Sequence, residues 1–308
     1  TLNAMGDEPG DVNPPDSVIQ IHRNLVKQAD KLFGARHFDH YDFLLSVSEK
    51  LATAGIEHQR SSDNGVRGGY FKQWDSAFVS KDLLAHEYTH SWNGKYRRPA
   101  DLFTANFNTP MRNSLLWVYE GQTQYWGNVL AARSGFVSKQ EALDLIANNA
   151  AVYDGRTGRN WRPLADTTLD PVIAARRSLP WREWQRSEDY YSEGQLIWMD
   201  VDTLIRERSK GARSLDTFAK AFFGVNDGDW GTLPYTRRDL VAALNKVEPY
   251  DWETFFKERV DSVAPKAPLA GLERGGYRLV WSETPNEVWR SGEARSRAAN
   301  LLYSIGLA

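Results

Sequence analysis

The sequence predicts an α+β fold: a small mixed sheet first, then a mainly helical part, with a cleft between them. Two observations carry this. Before Ser80 the apolar runs are short and punctuated by glycine, whereas beyond it apolar residues recur at helical spacing over long stretches separated by Gly, Pro and Asn. The expected division is an N-terminal mixed α/β subdomain over residues 1–80, a helical subdomain over 81–265 and a C-terminal segment over 266–308. A chain of 308 residues, 41% of them apolar, can bury the core that one large domain or two small ones require.

Residues 1–16, rich in Gly, Pro, Asp and Asn, offer little apolar surface and read as a leader loop. Over 17–32, Val18, Ile19, Ile21, Leu25, Val26 and Leu32 recur as in a helix capped by Asp16 or Ser17. Residues 41–47 (YDFLLSV) read as a buried strand, and the segments around Gly55 and Gly65 to Gly69 as short strands or a hairpin. Helices are expected near 81–94, 114–133, 138–152, 188–208, 214–223, 236–247 and 251–261. Residues 275–283 (GGYRLVWSE) read as a strand, and the remainder carries no helical stripe.

Composition excludes several functions. The 40 acidic and 38 basic side chains nearly cancel, so no global field gathers nucleic acid or anionic lipid. No stretch approaches the roughly 20 apolar residues of a membrane span. The first residues lack a basic and apolar leader, so a signal is expected to be absent or already removed. The compartment is left open, a periplasmic or secreted setting included. With no cysteine, disulfides and thiolate chemistry are excluded, and any metal must be held by His, Asp and Glu.

Such a set is present. Residues 86–90 read HEYTH inside KDLLAHEYTHSW, a segment without a helix breaker and preceded by Ser80 as a candidate cap. On a helix His86 and His90 lie one above the other, so both imidazoles reach one ion at about 2.0–2.1 Å. Glu87 falls about 100° around the helix, beside the metal, where it suits a general base for the water that zinc acidifies. A third ligand is available in LLWVYEGQTQYWG, where Leu116, Glu120, Thr123 and Gly127 share one face. Taken alone, Glu120 fits a solvated helix face as well as a metal site. With HEYTH upstream it completes a His₂Glu set with an open fourth position, the pattern of catalytic zinc, one ion per chain. Gln124, one turn on, is a candidate partner for the far nitrogen of a ligating His.

HEYTHSWNGKYRRP followed by LLWVYEGQTQYWG resembles the glycyl aminopeptidase family of gluzincin zinc metallopeptidases. AGIEHQRSS is similar to that family's GGLEH segment, and DYYSEGQLIWMDVD to its YxKG helix; the blocks cover roughly residues 40 to 260 in consistent order. The resemblance implies a thermolysin-like catalytic domain and an aminopeptidase that releases small N-terminal residues, Gly or Ala, from a peptide with a free N-terminus. It implies that Glu57 binds the substrate's α-amine, where a carboxylate measures one residue back from the scissile bond. It also implies that Tyr191, with Tyr190 as its rival, donates to the oxyanion. Ala54 stands where the family has Gly, and Glu193 where Lys is common. Full-length relatives carry a β-rich N-terminal domain and a C-terminal PDZ domain, so the chain is expected to be a catalytic core whose ending leads toward the latter. An endopeptidase, an epoxide hydrolase on the same zinc site and a non-catalytic binding protein are the alternatives.

Other signals read more simply as structure. His37, Asp39 and His40 lie before a strand with no helix to align them and are expected in loop or core roles. NDGDWG lacks the Glu a calcium loop needs and reads as an Asx-type turn. The basic run KYRRP reads as a solvated face, and the 12 Trp as core.

Overall fold

The computed structural model describes residues 1–75, 81–173 and 181–303. Ser80 and the last five residues, 304–308, on which two of the expectations above fall, lie outside the described residues. Four strands form one mixed sheet: β1 (Leu2–Gly6), β2 (Asp42–Val47), β3 (Gly55–Glu57) and β4 (Ser61–Val66), in the order β1-β2-β4-β3. β1, β2 and β4 run parallel, and β3 returns antiparallel on the edge with Glu57 opposite Ser62. A parallel pair needs a crossover. Helix α1 (Asp16–Phe33) supplies it between β1 and β2, ending on Gly34 in the left-handed conformation at φ 73°.

The leader loop is corrected. Leu2–Gly6 is a strand because its backbone pairs along β2 from Leu2 opposite Phe43 to Gly6 opposite Val47. Its order comes from a hydrogen-bond ladder more than from burial, and that ladder leaves no trace in an apolar pattern.

Beyond the sheet the chain is helical. In order follow α2 (Leu83–Thr89), α3 (Leu116–Ser134), α4 (Lys139–Gly155), α5 (Leu164–Thr167), α6 (Asp170–Ile173), α7 (Arg182–Gln185) and α8 (Ser192–Arg208). Then come α9 (Leu215–Phe222), α10 (Arg237–Val247), α11 (Trp252–Phe256), α12 (Ala270–Arg274) and α13 (Glu287–Ser296). A short strand pair, β5 (Arg97–Pro99) beside β6 (Leu233–Tyr235), joins the two ends of this half. Residues 275–283 do not form the expected strand; they find no sheet edge, and Trp281 stays 81% exposed. α13 was not legible as a stripe because none of its residues is buried; it starts where Asn286 accepts from the Trp289 N–H.

α3 is the central helix. Apolar and small residues surround its whole circumference, so it is buried on every side, between α2 and α8. Glycines set both approaches. A Cβ on Gly121 would lie 2.9 Å from the Gly194 Cα of α8, and one on Gly127 would lie 3.1 Å from the His86 Cα of α2. Bulkier residues there would drive the three helices apart. Trp92, Trp117, Trp126, Trp198 and Trp252 fill the surrounding core, as expected of large aromatics, but Trp161, Trp181, Trp184, Trp230 and Trp281 are exposed, against the reading of all the tryptophans as core.

A buried ionic network holds the start of α8. Arg186 donates to Asp189 at 2.7 Å and to Glu193 at 2.5 Å, Arg159 pairs with Glu193, Arg156 with Asp189, and Arg162 with Asp170 at 2.7 Å. Glu193, the acidic residue standing where Lys is common, is therefore compensated by two guanidiniums. In the loops, His37 is core: its ring nitrogens meet the carbonyls of Asp229 and Phe223 at 3.0 Å each. Asp229 closes the Asx turn, accepting from the Gly231 N–H at 2.9 Å.

Candidate metal centre

α2 carries His86 and Glu87, with His90 as its C-cap, all buried, and α3 brings Glu120 to the same point. Three donor atoms converge. His90 Nε2 lies 3.1 Å from His86 Nε2, and Glu120 Oε2 lies 3.4 Å from His86 Nε2 and 3.2 Å from His90 Nε2. Ligands bound to one ion at about 2.0–2.1 Å with tetrahedral angles stand about 3.3 Å apart, so this triangle has the edges of a zinc site.

The chemistry of the donors agrees with the geometry. Glu120 Oε2 is buried without a hydrogen-bond partner, an arrangement that is costly unless a cation occupies the centre. Burial would raise the Glu120 pKa, but His90 and His86 override it and hold the carboxyl well below its usual range. Burial would likewise depress His90, yet Glu120 and its neighbouring carboxylates push it up to about 9. The site attracts positive charge.

His90 Nδ1 donates to the Asn93 carbonyl at 2.9 Å, with Thr123 Oγ1 at 3.4 Å, which leaves Nε2 as the lone pair facing the centre. Gln124 does not take this part. It donates to Asp82, the residue preceding α2, at 3.1 Å. Asn93 also clamps the segment after α2 to α3, its side-chain amide reaching the Val118 carbonyl at 2.9 Å, the Tyr119 carbonyl at 3.2 Å and Thr123 Oγ1 at 3.0 Å.

Glu87 also lies within 4.8 Å of both imidazoles, so two carboxylates face the histidine pair. Glu120 closes the tighter triangle, whereas Glu87 leaves the α2 helix toward β3. There it meets Gly55, and a Cβ on that glycine would overlap Glu87 Oε1 and stand 2.5 Å from Cδ. Gly55 is a site residue the sequence reading missed, although the Gly-Ile-Glu run at β3 carried the signal. Burial is the leading influence on Glu87 and raises its pKa.

Glu57, two residues on in β3, points into the same space with its side chain 23% exposed. Tyr119 donates to Glu57 Oε1 at 2.6 Å, and Lys95 Nζ lies 3.3 Å from the same oxygen. Against the cost of burial, His90 and Lys95 hold the Glu57 pKa down to about 2. The basic run is therefore not a solvated face: Lys95 serves Glu57, and the Arg97 guanidinium lies 4.1 Å over the Phe222 ring. Tyr191, immediately before α8, sets its ring 6.1 Å from that of His86, while Tyr190 is 1% exposed and packed into the core. Of the pair, Tyr191 is the one that borders the metal centre.

Fold and site together combine a small mixed sheet, a helical half and a candidate metal cluster at their junction, an arrangement similar to that of solved metallopeptidase structures. Residues 80–197 match the model of the M61 glycyl aminopeptidase family, the resemblance already carried by the HEYTH and Tyr-Glu-Gly blocks. An aminopeptidase N family protein from Idiomarina loihiensis superimposes with a TM-score of 0.73 at 20% identity, over 85% of this chain and 44% of that one. A two-domain M1 zinc metallopeptidase variant bound to L-arginine gives 0.51 at 15% identity, over 87% and 50%. An M1 zinc metallopeptidase variant from Deinococcus radiodurans gives 0.49 at 14%, over 87% and 50%. The chain thus spans half or less of the length of these structures. No curated protein matches it. Among the described residues no helix is long and apolar enough to cross a membrane.

Proposed function

We propose that the chain is a zinc-dependent aminopeptidase that releases small N-terminal residues such as Gly or Ala from peptides with a free N-terminus. The observation that supports it most is the triangle of His86, His90 and Glu120 with a second carboxylate, Glu87, standing off it. When bound there, zinc supplies Lewis acidity and brings the pKa of water to about 7. His86, His90 and Glu120 hold the ion. Glu87 takes the proton of the attacking water and returns it to the leaving amine. Tyr191 donates its hydroxyl to the oxygen on which negative charge develops. Glu57 receives the substrate's α-ammonium and so sets the cut one residue in.

The test is the Glu87→Gln variant. It should retain one zinc per chain by metal analysis while turnover falls by about 10²–10⁴; undiminished turnover would remove Glu87 from its role. Aminoacyl amides of Gly, Ala, Leu and Arg, with and without chelator, test metal dependence and preference together.

An endopeptidase is the second reading, favoured by one observation: Glu57 is already paired with Lys95. A neutralised carboxylate has less claim on an ammonium. Comparison of free and N-acetylated peptides separates the two, since only the aminopeptidase needs the charge.

A further inference from the structure

Lys95 lies in the turn that follows HEYTH, its backbone N–H donating to the His90 carbonyl at 3.0 Å. The chain reaches it through Gly94 at φ 135°, a conformation closed to other residues, with the Tyr119 ring packed so near that a Cβ there would stand 2.6 Å away. Backbone and anchor are thus fixed, while the side chain crosses to β3 and stops 3.3 Å from Glu57 Oε1. Its ammonium makes the contact that a substrate's α-ammonium makes in the reading above.

We infer that Lys95 is a specificity-determining gate: its ammonium stands in for the substrate's free N-terminus on Glu57 and withdraws when an aminoacyl group binds. Three features of the chain support this. The ion pair uses the same carboxylate oxygen that Tyr119 already engages, so Oε1 is held and a second ammonium enters beside a like charge. The Lys95 side chain is 20% exposed and has a flexible four-carbon stem, so it has a route to solvent at the rim. A lysine is a single point charge, which an incoming ammonium of the same kind replaces directly. An N-acetylated substrate brings no charge to this spot and does not compete. The gate therefore weakens the binding of free amines in proportion to the ion pair they must displace, and blocked peptides are indifferent to it.

This rests on the aminopeptidase reading, and the experiment keeps the two apart. Glycinamide and N-acetylglycinamide are titrated calorimetrically into zinc-loaded Glu87→Gln protein, alone and combined with Lys95→Met or Lys95→Arg. Gly- and Ala-p-nitroanilide kinetics are measured in parallel with Glu87 intact. Lys95→Met should tighten glycinamide and lower KM about fivefold, leave kcat within about twofold, and leave the acetylated ligand unchanged. Lys95→Arg, which keeps the cation, should not tighten glycinamide. Unchanged or weaker glycinamide binding in Lys95→Met overturns the gate, and weaker binding assigns Lys95 to holding Glu57 in place. Equal binding of free and acetylated ligands by the parent protein overturns the assignment of Glu57 itself, and the gate with it. Should Lys95→Met lose zinc or helical circular dichroism, Lys95→Gln takes its place against the same expectations.

Discussion

Gly55 on the edge strand and Glu87 on α2 meet with no room for a methyl group between them: a Cβ on Gly55 would overlap the carboxylate oxygen. The same Cβ would stand 2.8 Å from Leu83 Cδ1, so the carboxylate has little space to retreat. Gly55→Ala is therefore expected to displace Glu87 while leaving His86, His90 and Glu120 in place. Misplacement of a catalytic group by about 1 Å costs on the order of 10²-fold. The expected outcome is a fall of that size in kcat with zinc content unchanged, read by steady-state kinetics and metal analysis on one preparation. Loss of zinc instead would mean that the strand supports the ligands as well.

His86→Ala and Glu120→Ala should each lower bound zinc, unlike Glu87→Gln. Chelation of the parent protein should abolish turnover, and stoichiometric zinc should restore it. Because only the folded state offers the site, zinc at 100 times its dissociation constant adds about 2.7 kcal/mol of stability, visible as a higher melting temperature. A melting temperature indifferent to zinc would contradict the assignment.

Glu57 makes a pH prediction. Its folded pKa is lowered from 4.5 to about 2. A depressed carboxylate contributes stability that is present above its unfolded value and lost as pH falls through the folded value, here between about 4.5 and 2. Across that window and above it Glu57 stays ionised, so KM for free-amine substrates should show no titration near pH 4–5. Glu57→Gln should raise KM for those substrates by roughly 10-fold or more and spare acetylated peptides. A KM that rises with an apparent pKa of 4–5 would show the carboxylate to be unpaired.

Glu193 bears on stability. It is fully buried between Arg159 and Arg186, and removing one partner of such a pair costs roughly 3–5 kcal/mol because the other charge is left stranded. Glu193→Ala should lower the denaturant midpoint accordingly. It should also slow turnover through Tyr191, two residues away at the start of α8. Glu193→Lys should destabilise as well, since two guanidiniums already face the position.

The convergence of His86, His90 and Glu120 was legible because its pattern is written at short range. HEYTH sets His86, Glu87 and His90 side by side through helix periodicity alone, and Glu120 needed only a second breaker-free helix. Tyr191 and Glu57 came through likeness of segments, since nothing in their own surroundings announces what they face. What escaped depends on distant backbone. β1 is held by pairing with residues about forty positions on, and Gly55 matters only because α2 folds against it. Lys95 belonged to a charge run whose pattern matches any solvated turn; its partner lies on a strand before the helix. The expected strand at 275–283 failed for the converse reason, as a suitable pattern without a neighbouring edge.

Asn93 fastens α2 to α3 by side-chain hydrogen bonds that involve none of the ligand atoms. Were an ion held by His86, His90 and Glu120, these bonds would fix the spacing of its ligands independently of the ion itself. Magnesium, which favours about six oxygens at octahedral corners, would find there two imidazoles and a single carboxylate oxygen. On the proposed reading, discrimination among cations would be built into the stitching of two helices, at a distance from the atoms that would touch the metal.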